Sequence, residues 1–163
     1  MNPTTRTYRT TVDLDVAVRG EMIGVLNQQL ADSLDLYSQT KQAHWNVKGM
    51  DFIALHKLFD DVAAAVEETV DTVAERVTAL GADARGTVRM SAANSTLPEF
   101  PENLEGGEEF VHAMVERVGA YANSSRQAAN KALEAGDEIT ADVFVGITRE
   151  MDKLLYFLEA HIQ

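Results

Sequence analysis

Hydrophobic residues recur every three to four positions along four long stretches of the chain, which is the spacing of one face of an α-helix. The pattern is most regular in the second stretch, where it continues from Leu55 to Leu80. Gly81 follows directly, and glycine is favoured just past the end of a helix. The pattern predicts helices over residues 15–44, 53–80, 108–135 and 140–161.

The connection between the second and third predicted helices is long and contains Pro98 and Pro101. A connection of this length in a compact domain indicates a crossover between parallel neighbours of a helical bundle. A short helical turn is predicted inside it, over residues 91–97. The predicted fold class is therefore all-α, a four-helix bundle with a long crossover that carries a short helix. Residues 1–14 are predicted to form a flexible N-terminal tail, and residues 15–163 the single bundle domain.

Composition narrows the functions that this chain can have. Its 14 basic and 26 acidic residues give a formal charge of −12, which attracts cations and repels phosphate backbones. It contains no cysteine, which excludes disulfides, thiolate metal sites and cysteine nucleophiles. Neither a membrane-spanning apolar run nor a secretion signal is apparent. We therefore expect a soluble cytoplasmic protein.

Four candidate metal ligands lie on the second helix as two pairs, His56 with Asp60 and Asp71 with Glu75. Each pair has i, i+4 spacing, and all four residues fall within about 100° of the helix circumference. The centres of the pairs lie roughly 22 Å apart along the axis, whereas iron or zinc binds its ligands at ~2 Å. One chain cannot gather them around one metal, but a second, antiparallel copy of the helix can. The spacing predicts two identical metal sites shared across a homodimer.

The alternative is a solvated charged face, because these four residues lie away from the apolar stripe of the helix. Ala63 and Ala64 argue against it, since they are predicted on the same outward face, where a solvated helix more often carries Lys, Glu or Gln. Small residues there permit close approach of a second helix. Glu67 lies between the two pairs and adds negative charge.

His44 is the fifth candidate ligand, at the end of the first helix between Lys41 and Trp45. It continues an apolar stripe, so a buried core histidine is the alternative. With His44 the set holds two imidazoles and three carboxylates. Imidazole nitrogens suit Fe(II) and carboxylate oxygens suit Fe(III). Such a set leaves coordination positions free for an oxidant, unlike a closed structural zinc site.

The segment from Lys41 to Arg76 closely resembles the ferroxidase signature of the Dps family of ferritin-like proteins. Similarity continues through residues 97–101, which resemble the crossover of that family, and residues 136–159, which resemble its last helix. It therefore covers nearly the whole chain from residue 15 onward. The signature is carried by Lys41, His44, Trp45, Asn46, Gly49, Phe52, Leu55, His56, Phe59, Asp60, Asp71, Ala74, Glu75 and Arg76.

The resemblance implies a ferritin-like bundle that assembles as a hollow dodecamer, with ferroxidase sites at its two-fold interfaces. One subunit is expected to supply His44, His56 and Asp60, and its partner Asp71 and Glu75. The implied metal is iron, at a di-iron site shared between two subunits, with zinc as a surrogate. The implied reaction is oxidation of Fe(II), preferably by hydrogen peroxide. Ferric mineral is then stored in the cavity, which protects against oxidative damage.

Further roles follow from the same resemblance. Lys41 is expected to pair with an acid across the interface, and Trp45 to pack beside the site. Asp137 and Asp142 match the acids that guide iron inward, although acids at the start of a helix are also favoured by its dipole. Glu67 is a candidate for nucleating the mineral.

DNA binding is the alternative function, in which a nucleoid-associated shell has only secondary iron chemistry. DNA-binding members of the family commonly carry a lysine-rich terminus, but the first 14 residues here contain Arg6, Arg9, Asp13 and no lysine. Twelve such chains carry a formal charge of roughly −144, which opposes binding to a polyanion. Direct DNA binding is therefore predicted to be weak or absent.

Overall fold

Residues 6–163 are described by the computed structural model, and over this range the chain forms five helices. The predicted all-α bundle, with a short extra helix in its crossover, is confirmed. The ends of the four long helices lie within two residues of the predicted positions, and the short helix begins three residues earlier than predicted. None of these helices is both long and apolar enough to span a lipid bilayer. The helices are α1 (Val16–Asn46), α2 (Phe52–Ala79), α3 (Val88–Asn94), α4 (Gly106–Glu134) and α5 (Glu138–Glu159).

Two antiparallel hairpins make up the bundle, since short turns join α1 to α2 and α4 to α5. At one end, Gly107 at the start of α4 lies against Leu55 near the start of α2, so closely that a Cβ on Gly107 would come 2.6 Å from the Leu55 side chain. At the other end, Arg76 of α2 bonds to Asp137 before α5. Helices α2 and α4 therefore start at the same end and run parallel, as the length of the crossover predicted.

The crossover runs alongside α1 and is hydrogen-bonded to it from Asn27 to Gln39. Successive crossover residues form hydrogen bonds with successive positions of α1, so the segment packs along the helix instead of extending into solvent. The Ser91 hydroxyl, for example, donates to the Ala31 carbonyl at 2.7 Å. The other links are Arg85 N to Asn27 Oδ1, Thr96 N to Asp32 Oδ1, and Gln39 Nε2 to the Pro98 carbonyl.

Apolar side chains from all four long helices fill the core, and the stripe on α2 is buried as predicted apart from the half-buried Val70. Polar groups are buried among them as well, and one cluster of hydroxyls lies between three of the helices. The Tyr121 hydroxyl on α4 is 2.6 Å from the Ser33 hydroxyl of α1 and 3.1 Å from the Thr69 hydroxyl of α2. This contact joins three helices, and burial raises the pKa of the Tyr121 phenol above its usual value.

We expect Tyr121→Phe to lower the free energy of unfolding by about 1–2 kcal/mol at neutral pH, because two buried hydrogen bonds are lost. Above pH ~10 an unfolded tyrosine ionises while the buried Tyr121 keeps its proton, so the wild type loses stability as pH rises. The difference in unfolding free energy between the wild type and Tyr121→Phe is therefore expected to become smaller at alkaline pH. Urea unfolding at neutral and alkaline pH measures both effects. Tyr156→Phe, at an exposed position, is the control and is expected to change little.

The described part of the predicted tail lies against the end of α2. The Tyr8 amide donates to the Gly81 carbonyl at 2.7 Å, and the Tyr8 hydroxyl donates to Asp83 at 2.9 Å. Gly81 has a φ of +91°, and a Cβ there would lie 2.7 Å from the Tyr8 carbonyl oxygen, so glycine is required for this approach. Residues 1–5 lie outside the described residues, and the boundary of the flexible tail stays a prediction.

Candidate functional site

The imidazoles of His44 and His56 form a stacked pair where the end of α1 meets the start of α2. Their ring centroids are 3.7 Å apart, and the planes differ by 22°. Each ring bonds to the backbone of the other residue. His44 Nδ1 lies 2.7 Å from the His56 carbonyl oxygen, and His56 Nδ1 lies 2.8 Å from the His44 carbonyl oxygen.

These two hydrogen bonds decide which nitrogen of each ring is available. A carbonyl oxygen only accepts, so each Nδ1 must carry the proton that it donates. In the neutral ring, Nε2 then keeps an unshared electron pair. This is the arrangement typical of metal-binding histidines, whose second nitrogen donates to a carbonyl or carboxylate. Both rings are thus oriented and in the tautomer that a divalent metal requires.

Asp60 lies beside this pair and is bound by Lys41. Lys41 Nζ donates to Asp60 Oδ1 at 2.6 Å, and His44 Nδ1 is 3.8 Å from the same oxygen. The hydrogen bond from Lys41 lowers the pKa of the Asp60 carboxyl below its usual value. Lys41 therefore favours the ionised form of Asp60. Within this chain Lys41 reaches Asp60 because α1 and α2 are adjacent. The pairing of Lys41 across a subunit interface stays a prediction.

Two aromatic residues adjoin the histidine pair. Trp45 follows His44 and is 62% exposed, an unusual exposure for so large a side chain. The Phe52 ring packs 5.0 Å from the His56 ring and supports its orientation. This contact was not predicted, although Phe52 and His56 have the i, i+4 spacing that allows it.

Asp71 and Glu75 project from the far half of α2 and are exposed. Because α2 is continuous from Phe52 to Ala79, the two pairs of candidate ligands remain roughly 22 Å apart. Within residues 6–163 of a single chain, no three histidine or acidic side chains are arranged to hold a metal ion. The prediction for Ala63 was wrong, since it is buried in the core, but Ala64 is exposed on the outward face.

The remaining candidates occupy different surroundings. Glu67 is exposed on α2, and Asp142 is exposed in a groove of 460 Å³ between α2 and α5. Asp137 is 1% exposed, and its carboxylate accepts from Arg76 Nη2 at 2.8 Å and from the Thr140 amide at 2.9 Å. Asp137 therefore caps α5 and neutralises Arg76 within this subunit. The place at the start of a helix was the alternative that the sequence offered for Asp137, whereas its ion pair with Arg76 was not predicted.

Comparison with known proteins agrees with this architecture. Residues 23–163 match the model of the ferritin-like domain family. The chain is 41% identical to the DNA protection during starvation protein of Agrobacterium fabrum over 158 residues, which is 97% of this chain and 98% of that protein. Among solved structures, DpsC from Streptomyces coelicolor superposes with a TM-score of 0.90 at 31% identity, covering 96% of this chain and 92% of that one. Dps from Microbacterium arborescens, in its high iron form, gives a TM-score of 0.86 at 31% identity, covering 95% and 99%.

The bundle and the ferritin-like match define the class of protein: a ferritin-like four-helix protein with a short helix in its crossover. Within that class the chain belongs to the Dps family, as the identity with the Agrobacterium relative over nearly its whole length shows.

Proposed function

We propose that this protein is a ferroxidase that oxidises Fe(II) and stores the ferric product in a hollow shell of identical subunits. The observation that carries the proposal is the histidine pair. Two imidazoles are held by reciprocal bonds to the backbone, so that both Nε2 atoms are free. An ionised carboxylate, Asp60, lies beside them. Two imidazoles and a carboxylate in one small region are the donor types that iron binds in proteins.

The proposed site is completed by a second subunit. His44, His56 and Asp60 from one chain face Asp71 and Glu75 from the other, when two α2 helices cross antiparallel near Ala64. The exposure of Asp71 and Glu75 supports this arrangement, because these acids have no role in the core of their own chain. A two-fold axis generates two such sites in each dimer.

The residues present fit iron as the substrate. Imidazole nitrogen suits Fe(II), carboxylate oxygen suits the Fe(III) product, and the donor set contains both. Two Fe(II) ions held together supply the two electrons that reduce one hydrogen peroxide to water, which avoids release of hydroxyl radical. Zn²⁺ binds the same donor types and is a surrogate for binding studies. Lys41 stabilises the ionised form of Asp60 until iron binds.

Storage and protection are further parts of the proposal. Structural similarity to the Microbacterium arborescens Dps, solved in a high iron form, supports an iron-storing role. We propose a dodecameric shell, with Asp142 on the path of iron entry and Glu67 as a nucleation residue. Because Asp137 is buried against Arg76, Asp142 is the better candidate of the two predicted entry acids.

The proposal is tested by stopped-flow absorbance on the iron-free assembled protein. We expect that Fe(II) added without oxygen, followed by peroxide, gives rapid ferric absorbance at about two Fe(II) consumed per peroxide. A parallel sample that receives dioxygen is expected to react more slowly. Ferric formation no faster than in buffer would contradict the ferroxidase proposal.

A DNA-binding shell is the second candidate, and the name of the Agrobacterium relative favours it. The charge of −12 per chain opposes it, because a negative shell repels phosphate at distances up to the Debye length. Direct DNA binding that is weak or absent stays our prediction.

A further inference from the structure

A cavity of 690 Å³ lies between the last turns of α1 and the crossover that leads into α4. Its volume is in the range of small-molecule sites. None of the five proposed iron ligands lines it, but Trp45, which adjoins His44, forms part of its wall. The cavity is thus separate from the proposed iron site and in contact with the residue beside it.

Flat aromatic surfaces and amide groups line this cavity. Trp45, Phe100 and Phe110 supply the rings, and Gln42 and Asn103 supply amides that can both donate and accept hydrogen bonds. Glu102 is the one charged side chain among the described residues of the wall. This combination suits a planar ring that carries hydroxyl or carbonyl groups, and it disfavours an anion.

A buried guanidinium holds the wall in place. Arg117 is 2% exposed, lies 5.4 Å from the Phe100 ring centre and donates to Gln39 Oε1 at 2.7 Å. Gln39 in turn donates to the Pro98 carbonyl at 3.1 Å. The charge of Arg117 is directed to these partners and to the Glu99 carbonyl, so it is not offered to a ligand. A wall fixed in this way needs little reorganisation on binding.

We propose that this cavity binds a planar, uncharged hydroquinone, which stacks against Trp45 and reduces stored ferric iron. The inference rests on the proposed iron storage. One hydroquinone gives up two electrons and two protons, which yields a quinone and converts two Fe(III) into two Fe(II). Electrons leave the ring next to Trp45, which is joined through the chain to the proposed ligand His44. The site would return iron that the ferroxidase has stored.

Binding is tested on the iron-free assembled protein, because Trp45 is the only tryptophan of the chain. We expect 1,4-naphthoquinone to quench its fluorescence with saturation. The anion 1,4-naphthoquinone-2-sulfonate is expected to bind about tenfold more weakly, since it meets Glu102 and no available cation. Purely linear quenching, equal to that of free tryptophan amide, would overturn the proposal. Equal affinity for the two quinones would overturn the assignment of an uncharged ligand.

A blocked variant and a matched control locate the binding. Ser38→Leu with Gln42→Leu fills the cavity from exposed positions of α1. Asn130→Leu makes the same kind of change on an exposed face of α4, outside the cavity. We expect saturable quenching to be lost in the blocked variant and kept in the control. Retained saturation in a blocked variant of unchanged helicity would place the ligand elsewhere and contradict the proposal.

Iron release tests the electron transfer on shells loaded with equal ferric iron. With 1,4-naphthohydroquinone and a ferrous chelator, we expect the blocked variant to release Fe(II) at least about fivefold more slowly than the control. Two Fe(II) are expected per hydroquinone. Dithionite, which needs no aromatic site, is expected to release iron equally from both. Equal release rates with the hydroquinone would refute the inference. Failure of ferroxidase activity instead refutes the proposed function and leaves the quenching result standing.

Discussion

Two inactive variants assembled in one shell are expected to recover about a quarter of the wild-type ferroxidase sites, provided that each site is shared between two subunits. The first variant is His56→Ala. The second is Asp71→Asn combined with Glu75→Gln. Each alone removes ligands from both sites of its homodimer and is expected to lose at least about 100-fold in rate, since even groups that only orient a ligand cost 10–100-fold.

The quarter follows from the geometry of the dimer. In a mixed dimer, one site combines both defects, while the other takes His56 from one chain and the two acids from its partner, all intact. Half of the sites in mixed dimers are therefore complete, and random pairing makes about half of the dimers mixed. Co-expression of the two chains with different affinity tags, followed by stopped-flow oxidation of Fe(II), measures the recovery.

The outcome separates a shared site from one built within a single chain. A single-chain site predicts no recovery at all in the mixed shell. Asp61→Asn with Glu68→Gln removes two exposed acids from the same helix without touching the proposed ligands, so it is expected to keep nearly wild-type initial rates. Loss of activity in that control would mean that total charge on α2, and not specific ligation, governs the reaction.

Asp137→Ala is expected to lower the free energy of unfolding by about 3–5 kcal/mol. The carboxylate is 1% exposed and binds the Arg76 guanidinium, whose side chain is itself only 12% exposed. Removal of the Asp137 carboxylate leaves the buried charge of Arg76 without a partner. It also removes the side-chain oxygen that caps α5 by accepting a hydrogen bond from the Thr140 amide. Chemical unfolding monitored by far-ultraviolet circular dichroism measures the loss.

Asp152→Ala is the matched control, because it breaks an Asp–Arg pair of similar length in solvent. Asp152 binds Arg126 at 2.8 Å, with both side chains about half exposed, and such pairs contribute about 0–1 kcal/mol. If Asp137→Ala lowered the free energy of unfolding by as little as Asp152→Ala and also slowed iron uptake, the structural role of Asp137 would be contradicted. A role in iron entry would then be supported. Asp137→Asn keeps a side-chain oxygen that can cap α5, so its loss of unfolding free energy is expected to lie between those of Asp137→Ala and Asp152→Ala.

The sequence allowed the helices and the common face of the α2 acids to be predicted, because both depend on the periodicity of one local element. The stripe from Leu55 to Leu80 places the core side of α2, and the i, i+4 pairs follow from the same 3.6-residue repeat. The separation of those pairs along the axis also made a partner chain necessary for the proposed site before any tertiary contact was known.

Only the tertiary structure decided how these side chains are held. The reciprocal bonds that leave both Nε2 atoms free require His44 of α1 and His56 of α2 to lie face to face, and Lys41 finds Asp60 through the same contact between the helices. Asp137 is buried because α2 and α5 meet at that end of the bundle. Periodicity along one helix carries no information about which residues of another helix it meets. Helical periodicity therefore determined which residues share a face of each helix. The packing of the two hairpins determined which side chains of neighbouring helices contact one another.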